Sequence, residues 1–158
     1  MSDSLPITLK GKQSLEAELK RLMHEERPNT VKAIEHARSN GDLSENADYD
    51  AAKERQGWIE ARIAEINHQL SGAQVVDTAK LTGDRVVFGA HVELIDLNTD
   101  KSVTYQIVGI SEADVAAGKI SIVSPLARAL IGKKVGEEVV VNTPSGDKEY
   151  EVKKLFFQ

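Results

Sequence analysis

Two different spacings of apolar residues divide this chain. From Gln13 to about Ala73 the apolar positions recur every three or four residues, which is the period of an α-helix. The first part of this region carries them at Leu15, Leu19, Leu22, Val31, Ile34 and Ala37. The second part places them at heptad positions, with only Gln56 polar in the series: Ala52, Ile59, Ile63, Ile66, Leu70 and Ala73. A heptad repeat is typical of a coiled-coil seam, so we predict two helices that pack along one seam.

Helix-breaking residues indicate where these helices bend and end. Pro28 has no backbone N–H, so we expect a kink in the first helix at that point. Asn40-Gly41 is typical of a helix C-terminus, because glycine accepts a positive φ. Few residues then remain for the connection, so the second helix must return antiparallel to the first. At roughly 1.5 Å per residue the arm is on the order of 40 Å long, and its single seam cannot be the main core.

The second half of the chain has the pattern of short β-strands. From Arg85 onward β-branched residues cluster in runs separated by glycine, asparagine and proline turn signals. The runs are RVVFGAHVELIDL, SVTYQIVG, KISIVS, EEVVVNT and KEYEVKKLFF. Ser124 as N-cap, Pro125 at the first helical position and Gly132 after the last predict one short helix among them. The predicted fold is α+β: an antiparallel helical hairpin in residues 1–77 and a β-rich domain in residues 78–158.

Composition narrows the range of functions. The net charge of −5 argues against broad coating of nucleic acid, which needs clustered lysine and arginine. The chain has no cysteine, which excludes disulfides, zinc-thiolate sites and thiol catalysis. Met1 to Lys12 lacks the apolar core of a signal peptide, and no run approaches the roughly 20 apolar residues of a membrane span. We therefore expect a soluble cytoplasmic protein with no membrane partner.

The predicted turn of the hairpin, NGDLSENADYD, concentrates negative charge. Asp42, Glu45, Asp48 and Asp50 place four carboxylates close together. One interpretation is a capping-box pair, in which Asp42 accepts a first-turn N–H and Glu45 reaches back. The other is a cation site, and a third is a solvated acidic face. The residues alone favour capping over the cation site and leave all three open.

Three segments of the chain resemble one known family. They are NGDLSENADYDAAKERQG in residues 40–57, RVVFGAHVEL in residues 85–94, and ISIVSPLARALIGKKVGEEVVVNTPSG in residues 120–146. The combination resembles the bacterial Gre transcript cleavage factors, GreA and GreB, over essentially the whole chain. The GreA branch fits better than the GreB branch, because the hairpin lacks a dense run of lysine and arginine.

The resemblance implies a transcription elongation factor without an active site of its own. Factors of this family bind bacterial RNA polymerase and insert the coiled coil through its secondary channel to the catalytic centre. There they stimulate the polymerase's intrinsic cleavage of the backtracked nascent RNA 3′ end, which rescues arrested complexes. The C-terminal domain, FKBP-like in fold, docks on the rim of the channel. We expect a monomer with no tightly bound cofactor.

The resemblance also assigns roles to individual residues. Asp42 and Glu45 lie at the positions of the two functional tip carboxylates of the family. We expect them to share Mg²⁺ with the polymerase, and only in the complex. Two-metal phosphoryl transfer needs a second ion, and Mg²⁺ often takes only one or two protein carboxylates. Expected to support RNA or the tip are Ser44, Asn46, Tyr49, Arg38 and Lys53. Expected to dock on the polymerase are Ser124, Pro125 and Arg128.

Several of these residues also have a purely structural interpretation. Ser124 and Pro125 also read simply as a helix start, and Asp48 and Asp50 as solvated surface. Trp58 is expected to pack near the seam. Surface positions are expected for the four histidines, His24, His36, His68 and His91.

Two other functions compete with cleavage stimulation. A channel-binding regulator would modulate or inhibit the polymerase without cleavage, and the intact Asp42 and Glu45 pair argues against it. An FKBP-like isomerase or chaperone would need an aromatic-lined pocket, and the second half of the chain has few aromatic residues with which to build one.

Overall fold

The computed structural model describes residues 5–39 and 46–158. Its helices are α1 (Leu9–Arg21), α2 (Arg27–Ser39), α3 (Ala47–Ser71) and α4 (Pro125–Leu130), and a π-helical turn, Leu22–Glu26, joins α1 to α2. Its strands are β1 (Leu5–Thr8), β2 (Ala73–Val76), β3 (His91–Asp96), β4 (Ser102–Val108), β5 (Lys119–Ser121), β6 (Glu138–Thr143) and β7 (Gly146–Phe156). The predicted α+β class is confirmed, with a helical hairpin followed by a β-rich domain that carries a short helix.

The chain forms two compact units. One is Lys12–Gly72, and the other combines Met1–Gly11 with Ala73–Gln158. The predicted domain boundary lies between residues 77 and 78. It stays a prediction, because only the folding of separate fragments would test it.

Ion pairs between the helices show that the hairpin is antiparallel. Arg62 of α3 makes two 2.8 Å hydrogen bonds to Glu18 of α1, and Arg27 of α2 makes two of the same length to Glu60 of α3. Residue numbers therefore fall along α3 as they rise along the ascending helix. Hydrogen bonding to Arg62 lowers the pKa of Glu18 from its usual value. Bidentate pairs of this kind fix geometry as well as adding attraction.

The seam of the hairpin contains a shift of one residue. Its buried members are Leu15, Leu22, Thr30, Ile34, Ala37, Ile59, Ile63 and Ile66. A regular stripe through positions 15 and 22 would continue at 29, 33 and 36, but the buried positions are 30, 34 and 37. A π-helical turn adds one residue, and the turn Leu22–Glu26 accounts for this shift. The seam position predicted for Val31 is wrong, since this side chain is 40% exposed.

The irregularity in the first helix lies one turn before the proline. Pro28 cannot donate to the carbonyl of His24, four residues earlier, because it has no N–H. The chain accommodates this missing bond with the π-helical turn that ends at Glu26. The helix is thus irregular before Pro28, and the kink predicted at Pro28 itself stays a prediction.

A two-stranded parallel sheet was not predicted. Strand β1 pairs in parallel with β2, with Leu5 opposite Ala73 and Thr8 opposite Val76. The helical period was expected to run through Ala73, and this expectation is wrong, because α3 ends at Ser71 and Gly72 caps it.

The larger sheet has the strand order β5-β4-β3-β7-β6. Strands β4 and β5 are parallel and the other neighbours are antiparallel. The main core lies in this unit and includes Val86, Val92, Leu94, Ile107, Leu130 and Val152. Helix α4 contributes Ala127 and Leu130 to this core. The run predicted as a strand from Arg85 is wrong for its first residues, because Arg85 forms only an isolated bridge with Lys134 and β3 begins at His91.

Candidate functional sites

The start of α3 is held by Asn46. Its backbone is extended, and its side-chain oxygen accepts a hydrogen bond of 3.1 Å from the N–H of Tyr49, which makes it the N-cap. Its Nδ2 donates to the carbonyl of Ala37 in α2 over 2.6 Å. One side chain therefore caps one helix and joins it to the other. Sequence reasoning placed Asn46 among the RNA or tip supports and missed this role, although asparagine before a helix is a recognised capping signal.

The tip carboxylates Asp42 and Glu45 lie outside the described residues, together with Ser44 and the predicted C-cap at Asn40-Gly41. Their functional roles stay predictions. The capping-box interpretation of Asp42 and Glu45 concerns the same residues and stays a prediction as well. Helix α3 itself begins at Ala47, with Asn46 as its N-cap.

Charged side chains next to the tip are solvent-exposed. Asp48 and Asp50 lie exposed in the first turn of α3, as predicted, where negative charge is favourable near the helix N-terminus. Arg38 in α2 is exposed, and exposed Lys53 in α3 donates to the Gln56 side chain over 3.1 Å. Tyr49 is half-buried. The structure therefore places both candidate RNA-contacting cations in solvent.

The side chains between α2 and α3 are small near the tip. Ala33 and Ala37 face Ala51 and Ala52 across an open groove of about 470 Å³. Small side chains bury little apolar area, so packing stabilises this end of the hairpin less than the isoleucine layers further down α3. The hydrogen bonds of Asn46 are correspondingly more important here.

The chemistry of the tip residues is compatible with a shared magnesium ion. Within residues 5–39 and 46–158, no group of three histidine, aspartate or glutamate side chains could hold a metal ion. Asp42 and Glu45 supply hard carboxylate oxygens, the ligands that Mg²⁺ prefers, and two carboxylates are a usual protein share of its coordination. The residues fit an ion that a partner also coordinates.

The candidate docking segment is the exposed start of α4. Ser124 is its N-cap, accepting from the N–H of Ala127 over 3.3 Å and donating to the carbonyl of Ser121 over 2.7 Å. Pro125 follows at the first helical position, which confirms the predicted helix start. Pro125 and Arg128 are exposed. A helix that is buried on one side thus presents these two side chains to solvent on the other.

Two expectations about single aromatic residues are wrong. Trp58 is 54% exposed rather than packed, because it lies one residue before the buried seam position Ile59. The guanidinium of Arg55 lies 5.7 Å from its ring centroid. His91 stacks on Phe156 with ring centroids 5.0 Å apart, and burial lowers its pKa, with a smaller contribution from Lys10. The three remaining histidines are exposed, as predicted.

None of the helices in the described part of the chain combines the length and the apolar character that a membrane crossing needs.

Comparisons with known proteins cover both units. A family model described as "Transcription elongation factor, N-terminal" matches residues 5–75, and one described as "Transcription elongation factor, GreA/GreB, C-term" matches residues 81–155. "Transcription elongation factor GreA" of Acidiphilium cryptum is 59% identical over 93% of this chain and 94% of that protein. The protein of the same name from Ralstonia nicotianae is 59% identical over 95% of this chain and 96% of that protein.

A solved structure is also similar. The crystal structure of GreA factor homolog 1 (Gfh1) of Thermus thermophilus has a TM-score of 0.45 and 29% identity, over 97% of this chain and 99% of that chain. The relatives at 59% identity and the two family models carry the assignment. The chain belongs to the GreA/GreB family of transcription elongation factors, which stimulate the intrinsic transcript cleavage of RNA polymerase and are not enzymes themselves.

Proposed function

We propose that this chain binds bacterial RNA polymerase and inserts its helical hairpin into the secondary channel, so that Asp42 and Glu45 reach the catalytic centre. The nascent RNA 3′ end of a backtracked complex is then cleaved by the polymerase, and the arrested complex resumes elongation. The observation that carries this proposal is the match of both family models, which together span residues 5–75 and 81–155 of one chain. A protein with this role works in the cytoplasm and acts as a monomer.

The proposed chemistry assigns the carboxylates of Asp42 and Glu45 to a magnesium ion shared with the polymerase. Bound there, Mg²⁺ supplies activation of the attacking water and neutralises developing negative charge. The contribution of the chain is to bring two negative charges to the RNA and to hold them beside a fixed point. Asn46, which is bonded to both helices, is the described residue that lies next to Glu45 in sequence.

Neighbouring side chains support the RNA in this proposal. Arg38 and Lys53 are exposed cations on opposite helices of the hairpin, and exposed cations attract phosphates at long range. Tyr49 is half-buried and so is suited to packing under the tip. Ser44 lies between the two tip carboxylates in sequence, where its hydroxyl is available to orient water or RNA.

Docking is assigned to the β-rich domain, in residues 78–158. Ser124 sets the start of α4, and Pro125 and Arg128 are the exposed side chains that contact the rim of the channel. The physical support is that α4 is anchored on the core through Ala127 and Leu130, so its outer face is held in a fixed place. A rigid contact surface loses little conformational entropy on binding.

The test replaces each tip carboxylate by its amide. Asp42→Asn and Glu45→Gln are each compared with Asp50→Asn, which neutralises an exposed carboxylate in the first turn of α3. Each tip variant should lower the cleavage of 3′-labelled RNA in a backtracked complex by on the order of 100-fold or more, as expected for a lost stabiliser of transition-state charge. Polymerase affinity and melting temperature should remain unchanged, and Asp50→Asn should cleave normally.

Three outcomes separate the alternatives. Raised Mg²⁺ should partly restore the single variants, because mass action refills a weakened site. Full activity of the double variant at ordinary Mg²⁺ would contradict the shared ion. A wild-type protein that binds polymerase and lowers its activity without cleavage would instead identify a channel-binding regulator.

A further inference from the structure

Glu112 makes an unusual set of contacts for a surface carboxylate. It lies in a 3₁₀ turn, Ile110–Glu112, directly after β4. Its Oε2 accepts from the backbone N–H of Thr8 over 3.0 Å and from the N–H of Gly109 over 2.9 Å. Its Oε1 accepts from the hydroxyl of Thr8. One carboxylate therefore takes three donors, two of which belong to a residue 104 positions earlier in the chain.

Thr8 is the residue that caps the start of α1. Its hydroxyl accepts from the N–H of Gly11 over 2.9 Å, which is the bond from an N-cap side chain to the third helical residue. In an ordinary capping box, the side chain at that third position would reach back to the N–H of the cap residue. The third residue here is Gly11, which has no side chain. Glu112 accepts the N–H of Thr8 in its place.

The Glu112 carboxylate lies against the backbone of Gly11. A Cβ atom at Gly11 would overlap Oε1 of Glu112, so one of the two would have to move. A Cβ atom at Gly109 would lie 2.6 Å from the carbonyl oxygen of Pro6. Gly11 is helical and Gly109 has a φ of −69°, so neither needs glycine for its backbone conformation. A side chain at Gly109 would strike backbone, whereas one at Gly11 would displace the Glu112 side chain.

Electrostatics favour the same arrangement. The first turn of α1 has no acidic residue and carries Lys10 and Lys12, although a helix N-terminus favours negative charge. Glu112 brings a negative charge to this end from elsewhere in the chain. Thr8 is 3% exposed, so its N–H and hydroxyl need partners within the protein. We call Thr8, Gly11 and Glu112 the split capping box.

We propose that Glu112 is a positioning residue for transcript cleavage, because it completes the capping box of α1 and so fixes where the first helix of the hairpin begins. Thr8, Gly11 and Glu112 belong to the unit that contains α4, whereas α1 continues without a break to Arg21. Glu112 therefore holds the first turn of a helix that continues into the hairpin. Glu112 acts on the tip through α1 and touches neither RNA nor metal.

The experiment separates binding from cleavage. The variants are Glu112→Gln, Glu112→Ala and Gly11→Ala, and the control is Asp114→Asn, which removes a nearby carboxylate that makes no capping hydrogen bond. Cleavage of 3′-labelled RNA is titrated with factor. We expect the half-saturating concentration to stay within about twofold of wild type, because the docking segment is unchanged, and the maximal rate to fall about tenfold or more. Asp114→Asn should alter neither value.

Gly11→Ala gives the sharpest comparison. Alanine is the better helix former, so propensity alone predicts a neutral or stabilising change. The split capping box predicts a loss of maximal rate, because the new Cβ displaces the carboxylate. In the Glu112→Ala background the same change should have no further effect, since the atom it would strike is gone.

Hydrogen exchange distinguishes positioning from a general loss of structure. Glu112→Gln should speed exchange at the N–H groups of Thr8 and Gly11 and leave those of β3 and β4 unchanged. Faster exchange throughout the sheet, a weaker half-saturating concentration, or an unchanged maximal rate would each overturn the inference. It rests on the proposed function, and a wild-type protein that fails to stimulate cleavage would refute that function instead.

Discussion

The bond between Asn46 and Ala37 can be separated from the capping of α3 by two substitutions. Asn46→Ala removes both the oxygen that accepts from Tyr49 and the Nδ2 group that donates to Ala37. Asn46→Ser keeps an oxygen that caps the helix but is too short to replace the donor. The two variants therefore divide the contribution of this side chain into a local part and a part that joins the helices.

The expected magnitudes follow from the two interactions. Loss of an N-cap costs about 1 kcal/mol, and loss of an amide–carbonyl hydrogen bond costs about the same. Asn46→Ala should then destabilise the start of α3 by about 2 kcal/mol, which is roughly a thirtyfold larger opening constant. Asn46→Ser should lose only the bond between the helices, about 1 kcal/mol or roughly fivefold. The apolar side chains that line the neighbouring groove are alanines, so apolar packing adds little stability there.

Amide hydrogen exchange measures this opening directly. The N–H of Tyr49 should exchange fastest in Asn46→Ala, at an intermediate rate in Asn46→Ser and slowest in wild type. The N–H of Ile63, in the buried seam of the same helix, should exchange equally in all three and serves as the internal control. Equal exchange of Tyr49 in the three proteins would refute the assignment of Asn46 as a structural link. Equal exchange in the two variants would show that the cap contributes nothing.

Two further predictions concern docking and the π-helical turn. Pro125→Ala and Arg128→Glu should raise the half-saturating concentration of the factor and leave the cleavage rate at saturation unchanged, because they alter the exposed start of α4; an equal fall in both would contradict the docking role. Insertion of one alanine after His24 should lower the melting temperature measured by circular dichroism, because the extra residue turns Ile34 and Ala37 about 100° away from the seam. His24→Ala changes an exposed side chain and should have little effect, and equal melting of the two variants would show that the turn does not set the seam.

The parts of the fold that sequence reasoning predicted have strong repeating patterns. The heptad series places Ile59, Ile63 and Ile66 on one stripe, and these three residues are buried in α3. The short helix after Ser124 was predictable because its cap, its proline and its terminal glycine all agree. The later strands were predictable in number, although β3 begins at His91, well after the Arg85 with which its predicted run opened.

The parts that were missed depend on single residues or on distant partners. A seam that shifts by one residue still appears helical in period, so Val31 was placed inside and Thr30 was overlooked. Strands β1 and β2 have four residues each, too few to establish an alternating pattern, and they pair only because the chain returns after the hairpin. Glu112 gives no local signal, since the helix that it caps lies at the other end of the chain.

The chemistry assigned to the candidate site stays a prediction, and sequence reasoning missed part of its structural support. The cluster of carboxylates predicts two roles for Asp42 and Glu45, helix capping and magnesium binding. The cap of α3 is Asn46, so the described start of this helix does not depend on the side chain at position 42. An amide at position 42 should consequently leave the start of α3 intact, which makes the tip variants a test of chemistry and not of folding.

Both helices that enter the hairpin are capped by side chains that also bind a second element. Thr8 caps α1 and binds Glu112 from the turn after β4, and Asn46 caps α3 and binds Ala37 of α2. A two-helix hairpin has one seam, so its free-energy gain from packing is small for its length and its ends are the first parts to fray. Capping alone would stabilise each helix end without fixing its place. A cap that is itself bonded to a neighbouring element stabilises the helix end and also fixes its place. A protein that must present two carboxylates at the end of a long arm requires both effects.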